Sequence, residues 1–281
     1  MQIMQKKIDL VNGPVLSSLT RLAIPIMATS LIQMAYNMTD MIWIGRIGSS
    51  AVASVGAAGM YMWLSNGLAV LAKMGGQVNV GHALGADDKE KAAEYVSNAL
   101  QLTLVLGIIY GIICILGARP LIHFFHLNQA QVIRDAVSYL KITCGLVLFS
   151  FLNQTFTGLF TAIGNSRPVF LATTTGLVVN IILDPLLIFG IGVFPALRVT
   201  GAAIATVVAQ MIVTLMFLIF AAKDTVLFRY VSYRKKPDMK SMKAIVRIGF
   251  PTSVQSMLFT GISMVIARLV AGYGDAAVAV Q

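Results

Sequence analysis

The sequence predicts an all-α integral membrane protein, on three observations. Of its 281 residues, 57% are hydrophobic and only 11% charged, with a mean hydropathy of +0.82, a composition far outside that of soluble globular domains. Apolar stretches of about twenty residues recur seven times, the length a helix needs to cross a hydrocarbon core of about 30 Å. Alternating segments of about ten residues, the mark of a transmembrane β-barrel, are absent.

The first stretch, 22–44, follows a tail carrying Lys6 and Lys7. Asp9, Asn12 and Arg21 interrupt any signal-peptide-like run and no A-x-A site follows, so this span is expected to be retained. Spans two and three, 51–72 and 98–118, flank Gly85-Ala86-Asp87-Asp88, a helix-capping sequence. Spans four and five, 142–163 and 169–190, are joined by the tight turn Gly164-Asn165-Ser166-Arg167-Pro168. Spans six and seven, 201–222 and 248–271, are separated by a basic linker. Pro25 and Pro251 sit in the first turns of spans one and seven, where a missing N–H costs little. Cys114 and Cys144 lie inside apolar runs without a CxxC pair, so neither a disulfide framework nor a zinc site is encoded.

The chain holds 21 Lys and Arg against 11 Asp and Glu, a formal charge of +10. These charges lie between apolar runs and not on one basic face, which argues against nucleic-acid binding. With alternate loops assigned to opposite sides, 15 of the 21 basic residues share the N-terminal side, eight of them from Lys223 to Arg247. The positive-inside rule then places the N-terminus in the cytoplasm, with the basic linker as an anchor on anionic lipid headgroups.

Sliding the chain by 226 residues aligns the start of span one with the start of span seven. Arg21 falls on Arg247, Pro25 on Pro251, Ser30 on Ser256, Met38 on Met264, Gly48 on Gly274, and Ala51-Val52-Ala53 on Ala277-Val278-Ala279. Six spans per repeat put both copies the same way up, as in transporters built from parallel halves, and doubling the unit predicts about 450 residues and twelve spans. The expected organisation is a six-helix N-terminal lobe (1–222), a cytoplasmic basic linker (223–247) and the first helix of a second lobe (248–281), truncated at Gln281.

Ionisable groups within lipid cost on the order of 2.5–3.5 kcal/mol each, so each marks a candidate functional site. Two acids qualify, Asp40 in span one and Asp184 in span five. Gln33, Tyr36 and Asp40 share one helix face, as do Asn180 and Asp184, which predicts an internal, wettable cavity. Pro185 cannot donate to the carbonyl of Ile181, which leaves a backbone oxygen near the carboxylate. Carboxylate, amide and carbonyl oxygens form a hard site suited to a proton or to Na⁺ at Asp40, Asn180 and Asp184, with no transition metal and no organic cofactor implied. Asn153 and Thr206 are candidate further oxygens, or interhelical hydrogen bonds. Gln33, Met34 and Tyr139 are candidates for a substrate cavity, although the Met34, Met38, Met41 stripe also fits lipid-facing or packing positions. His123 and His126 lack a carboxylate or thiol at ligand spacing.

At these residues the sequence resembles the multidrug and toxic compound extrusion (MATE) transporters. The resemblance rests on Arg21 to Pro25, Tyr36 to Asp40 with Gly45-Arg46-Ile47-Gly48, Gly158 to Pro168, Asn180 to Pro185, and Gly201 to Thr206. It implies a monomeric plasma-membrane antiporter of two six-helix lobes that exports amphipathic, often cationic compounds in exchange for H⁺ or Na⁺. In the DinF-like branch, which the sequence resembles, Asp40 would be the principal protonation site, with Tyr36, Asn153, Asn180, Asp184 and Thr206 around it. A NorM-like branch carries a glutamate in span seven where this chain has Phe259. Among rivals, a membrane aspartyl protease would need a Gly-x-Gly-Asp segment, which neither acid has. A lipid-linked glycan flippase of the same superfamily, the alternative reading, would need central basic residues, and no predicted span carries one.

Overall fold

The computed structural model describes residues 15–191, 195–224, 227–231 and 237–271, and the side chains of 15–19, 21–22, 25–26 and 271 lie outside that description. Lys6, Lys7, Asp9, Asn12, the side chains of Arg21 and Pro25, Arg234, Lys235, Lys236, and the second repeat copy from residue 272 onward therefore fall outside it. The described residues form helices α1 (Val15–Gly45), α2 (Ser49–Gly85), α3 (Lys89–Leu116), α4 (Ala118–His123), α5 (Ala130–Thr143), α6 (Leu148–Ala162), α7 (Arg167–Phe189), α8 (Arg198–Lys223) and α9 (Met239–Ala271), with a 3₁₀ turn at Phe228–Tyr230 and no strand. Among them α2, α3, α7, α8 and α9 are each long and apolar enough to cross a membrane, and α5 with α6 makes a sixth if the bent pair is one span.

Three features differ from the sequence expectation. The fourth span is not continuous: α5 and α6 meet at 49° across the break at 144–147, and α5 begins at Ala130, well before the apolar run. Hydropathy is blind to this break because Cys144, Gly145, Leu146 and Val147 are all compatible with an apolar helix. α2 runs on to Gly85, so Lys73, the first residue past the expected second span of 51–72, sits twelve residues inside the helix. Finally α9 begins at Met239, which places Lys240, Lys243 and Arg247 on a helix and not in the linker, and puts Pro251 twelve residues inside that helix and not in a first turn, as position 25 lies ten residues inside α1. Asp238 starts it: its Oδ2 accepts the Ser241 N–H at 2.9 Å, and that bond holds the Asp238 carboxyl below the usual carboxylate range.

The capping sequence before α3 behaves as its residues require. Asp88 Oδ1 accepts the Lys91 N–H at 2.9 Å and satisfies a donor the helix cannot pair internally. Asp88→Ala is expected to cost about 1 kcal/mol of stability. Thermal unfolding in detergent micelles checks this, with Asp87→Asn, one position earlier at a φ of +58° that asparagine also tolerates, as the comparison.

The core divides into two clusters. One gathers Tyr61, Tyr110, Phe125, Tyr139, Leu140 and Phe151 at the end of the lobe carrying the α1–α2 and α4–α5 turns. At the opposite end, Phe156, Phe160, Phe217 and Phe228 form an aromatic stack, with Phe156 and Phe217 centroids 5.7 Å apart and Phe160 and Phe228 5.0 Å apart. Between helices, hydroxyls make the ties: Thr103 to Thr155 at 2.7 Å joins α3 to α6, and Tyr110 Oη donates to the Tyr61 carbonyl at 2.5 Å.

α9 packs along α2 through bare backbone. A Cβ at Gly75 would overlap the Ile245 carbonyl, and one at Gly249 would overlap the Leu71 carbonyl, so each glycine admits the other helix's main chain. Ser253 Oγ adds a hydrogen bond to the Gly67 carbonyl at 2.9 Å. Both ends of α9 are also tied to the lobe. At its start, the Asp238 N–H donates to Asn98 Oδ1 at 3.0 Å, and Ser241 Oγ donates to Glu94. Near its end, Arg268 lies 2.8 Å from His126 Nε2 and stacks 4.8 Å over the Phe124 ring.

Candidate functional site

Five oxygens converge where α1, α7 and α8 meet. On α7, Asn180 and Asp184 are both fully buried, and the Asn180 amide donates to Asp184 Oδ1 at 3.1 Å, as their one-turn spacing allows. Asp40, from α1, interacts directly with Asp184 across the helix pair. Tyr36, one turn earlier on α1, faces Asp40, Asp184 and the Thr206 hydroxyl of α8. Tyr36 Oη, Asp40 Oδ1, Asn180 Oδ1, Asp184 Oδ2 and Thr206 Oγ1 are all buried without closing a hydrogen bond of normal geometry.

Local chemistry explains why these helices meet here. α7 continues through Pro185 and ends at Gly190, whose φ of +72° is the left-handed cap glycine supplies at least cost. The Leu187 carbonyl, left over at that helix end, accepts the Leu197 N–H at 2.9 Å. The same carbonyl lies where a Cβ of Gly201 would stand, so the glycine lets α8 lie directly on α7 and carries Thr206 to the acids.

Buried polar atoms are ordinarily paired, and a cluster left unpaired calls for an explanation. Two carboxylates approaching in a low-dielectric interior repel strongly unless a proton or cation lies between them. The donor set, carboxylate, amide, phenol and hydroxyl oxygen, is hard and free of sulfur or imidazole, which suits H⁺ or Na⁺.

The other sequence candidates take varied places. Tyr139, proposed for a substrate cavity, is buried on α5 within electrostatic range of Asp40, Tyr36 and Asp184. Asn153 stands apart: its amide donates to the Gln210 carbonyl at 3.0 Å and its oxygen accepts from Thr214 at 2.7 Å, clasping α6 to α8. Gln33 and Met34 lie exposed on α1, with Met34, Met38 and Met41 along one uncovered stripe. No group of three or more metal-ligating side chains forms among the described residues, and His126 is engaged with Arg268.

Sequence reasoning missed one contributor. Trp43, three residues after Asp40, meets Phe189 edge-to-face at 6.1 Å, and Arg46 lies 4.7 Å over its ring. This pairing closes the α1 and α7 ends beyond the two acids. An aromatic residue within one turn of a buried acid was the available signal.

Membrane-length helices enclosing an internal acid pair define a multi-pass membrane protein with a buried ionisable site. The family model MatE matches residues 25–186, and the chain belongs to that family, whose members are transporters and not enzymes. It is 29% identical to the "Probable multidrug resistance protein NorM" of Thermotoga maritima, over 88% of this chain and 53% of that protein. It is 27% identical to the "Multidrug export protein MepA" of Staphylococcus saprophyticus, over 95% of this chain and 58% of that one. A crystal structure of a MATE protein in complex with MaD5 superposes with a TM-score of 0.84 at 26% identity, covering 98% of this chain and 62% of that chain. The chain thus spans about half the length of the curated relatives it matches.

Proposed function

We infer that this chain forms the N-terminal lobe and the following helix of a monomeric antiporter that exports amphipathic, cationic compounds across the plasma membrane in exchange for protons, its N-terminus in the cytoplasm. The observation that carries the reading is the set of five buried oxygens left without partners around the approach of Asp40 to Asp184. The names of the relatives, a multidrug resistance protein and a multidrug export protein, support the substrate class.

In this mechanism the acid pair is the coupling device. With the pair ionised, its charge favours the state that receives a cationic substrate. A proton arriving from outside removes charge, lets one carboxyl donate to the other, and favours release. Coupling requires only that proton and substrate prefer different states, or compete for the same carboxylates.

Inverted vesicles carrying the transporter, given a proton gradient in sodium-free buffer, provide the test. Ethidium is expected to accumulate while the gradient dissipates. Accumulation only after sodium is added would make the same oxygens a Na⁺ site, and no movement under either gradient would favour export of a lipid-linked glycan.

A further inference from the structure

Lys73 is a cation that no carboxylate among the described residues answers. It lies twelve residues before the end of α2, about 18 Å along the helix axis. Its Nζ donates to Gln154 Oε1 on α6 at 2.8 Å, and Gln154 lies eight residues, about 12 Å, inside the end of that helix. The side chain is half-buried, its stem seated against Gly158, and it forms no ion pair among the described residues. A neutral amide offsets little of the cost of withdrawing an ammonium from water. A structural strut could be built at this position without charge.

The surroundings identify the surface. Outward-facing positions of α3 and α8 are apolar and exposed, among them Leu104, Ile108, Ile112, Leu215 and Leu218, as a lipid-facing surface requires. Lys73 lies instead on a half-exposed polar stripe across α2 and α6, with Asn66, Gln77, Ser150, Gln154 and Thr157. Ser150 Oγ lies 3.5 Å from Asn66 Oδ1, so the stripe bridges the two helices. This is a half-exposed polar face shared by α2 and α6, unlike the apolar faces of α3 and α8. It lies toward the end carrying the α2–α3 and α6–α7 turns, whereas Asp40 and Asp184 each lie five residues from the opposite helix ends.

We propose that Lys73, with the Gln154 and Gln77 amides beside it, is an anion-recognition station that takes the carboxylate of a transported zwitterionic amphiphile. The proposal deepens the export reading and rests on it: the acid pair attracts the substrate's cation at one end of the lobe, and Lys73 meets its carboxylate at a separate point of the path, toward the other end. One ammonium and two amides supply donors for both oxygens of a carboxylate, the charge-assisted arrangement that discriminates an acid from its ester.

Rhodamine B and its ethyl ester share one cationic fluorophore and differ by a free carboxylate, which makes them the probes. Fluorescence anisotropy with the purified protein in detergent micelles is expected to show rhodamine B bound about tenfold more tightly than the ester. Lys73→Gln should remove that preference by weakening rhodamine B alone, and Lys73→Arg should keep it. Retained ester binding shows that the Gln variant is folded. Equal affinity of wild type for both dyes, or parallel loss of both in Lys73→Gln, overturns the station while leaving the export reading standing. Binding of neither dye to wild type overturns the export reading and the station together.

Discussion

Asp40→Asn retains substrate binding and loses proton-driven export. Asparagine matches aspartate in shape, and its amide can donate to Asp184, so the α1–α7 approach survives the change. What disappears is the exchangeable proton. With a neutral group fixed at position 40, the pair cannot alternate between charged and uncharged forms, and the free-energy difference that proton loading imposes on the two states is removed. Coupling free energies of about 1–3 kcal/mol correspond to roughly 5- to 150-fold, and the export rate under a pH gradient should fall by a factor in that range. Ethidium flux and gradient dissipation, read together in vesicles, should fall in parallel while ethidium binding in detergent holds. Unchanged pH-driven export in Asp40→Asn would remove Asp40 from the coupling step and leave Asp184 to act alone.

Gly249→Leu should separate α9 from α2. The Cβ alone would occupy the position of the Leu71 carbonyl, and backbone on both sides leaves no side chain able to move aside. Overpacking a protein interior ordinarily costs about 1–3 kcal/mol, and a clash with main chain belongs at or above the upper end. Gly261→Leu, on the same helix, is the control, because a Cβ there meets nothing within 4 Å. Thermal unfolding in detergent should place the Gly249 variant far below wild type and the Gly261 variant within about 0.5 kcal/mol of it. Similar destabilisation by the two would show that α9 is held by its end ties and not by the glycine crossing.

Much of this arrangement was legible in the sequence because membranes enforce simple rules. An aspartate inside a twenty-residue apolar run stands out whatever its neighbours, so Asp40 and Asp184 were visible. Their one-turn companions Tyr36 and Asn180 followed from helix periodicity. Lys73 was not legible as an internal residue, because an apolar run is conventionally closed at the first charge and a lysine there reads as loop. Tyr139 belongs to an amphipathic helix whose polar side, with Gln131, Arg134 and Asp135, hid its buried face. The pairing of Gly75 with Ile245 and of Gly249 with Leu71 depends on the crossing of helices about 170 residues apart in sequence, which no local pattern encodes.

The break between α5 and α6 gives the lobe a joint. A continuous helix resists bending because every peptide is held to the next turn; here the Cys144, Gly145 and Leu146 N–H groups keep their bonds one turn back, Val147 tightens to a three-residue bond, and the 49° bend falls before α6. Tyr139, on the far side of that joint, lies within electrostatic range of the acid pair, and Thr103 and Thr155 pin α6 to α3 on the near side. Any displacement of α5 relative to α6 is therefore taken up at 144–147.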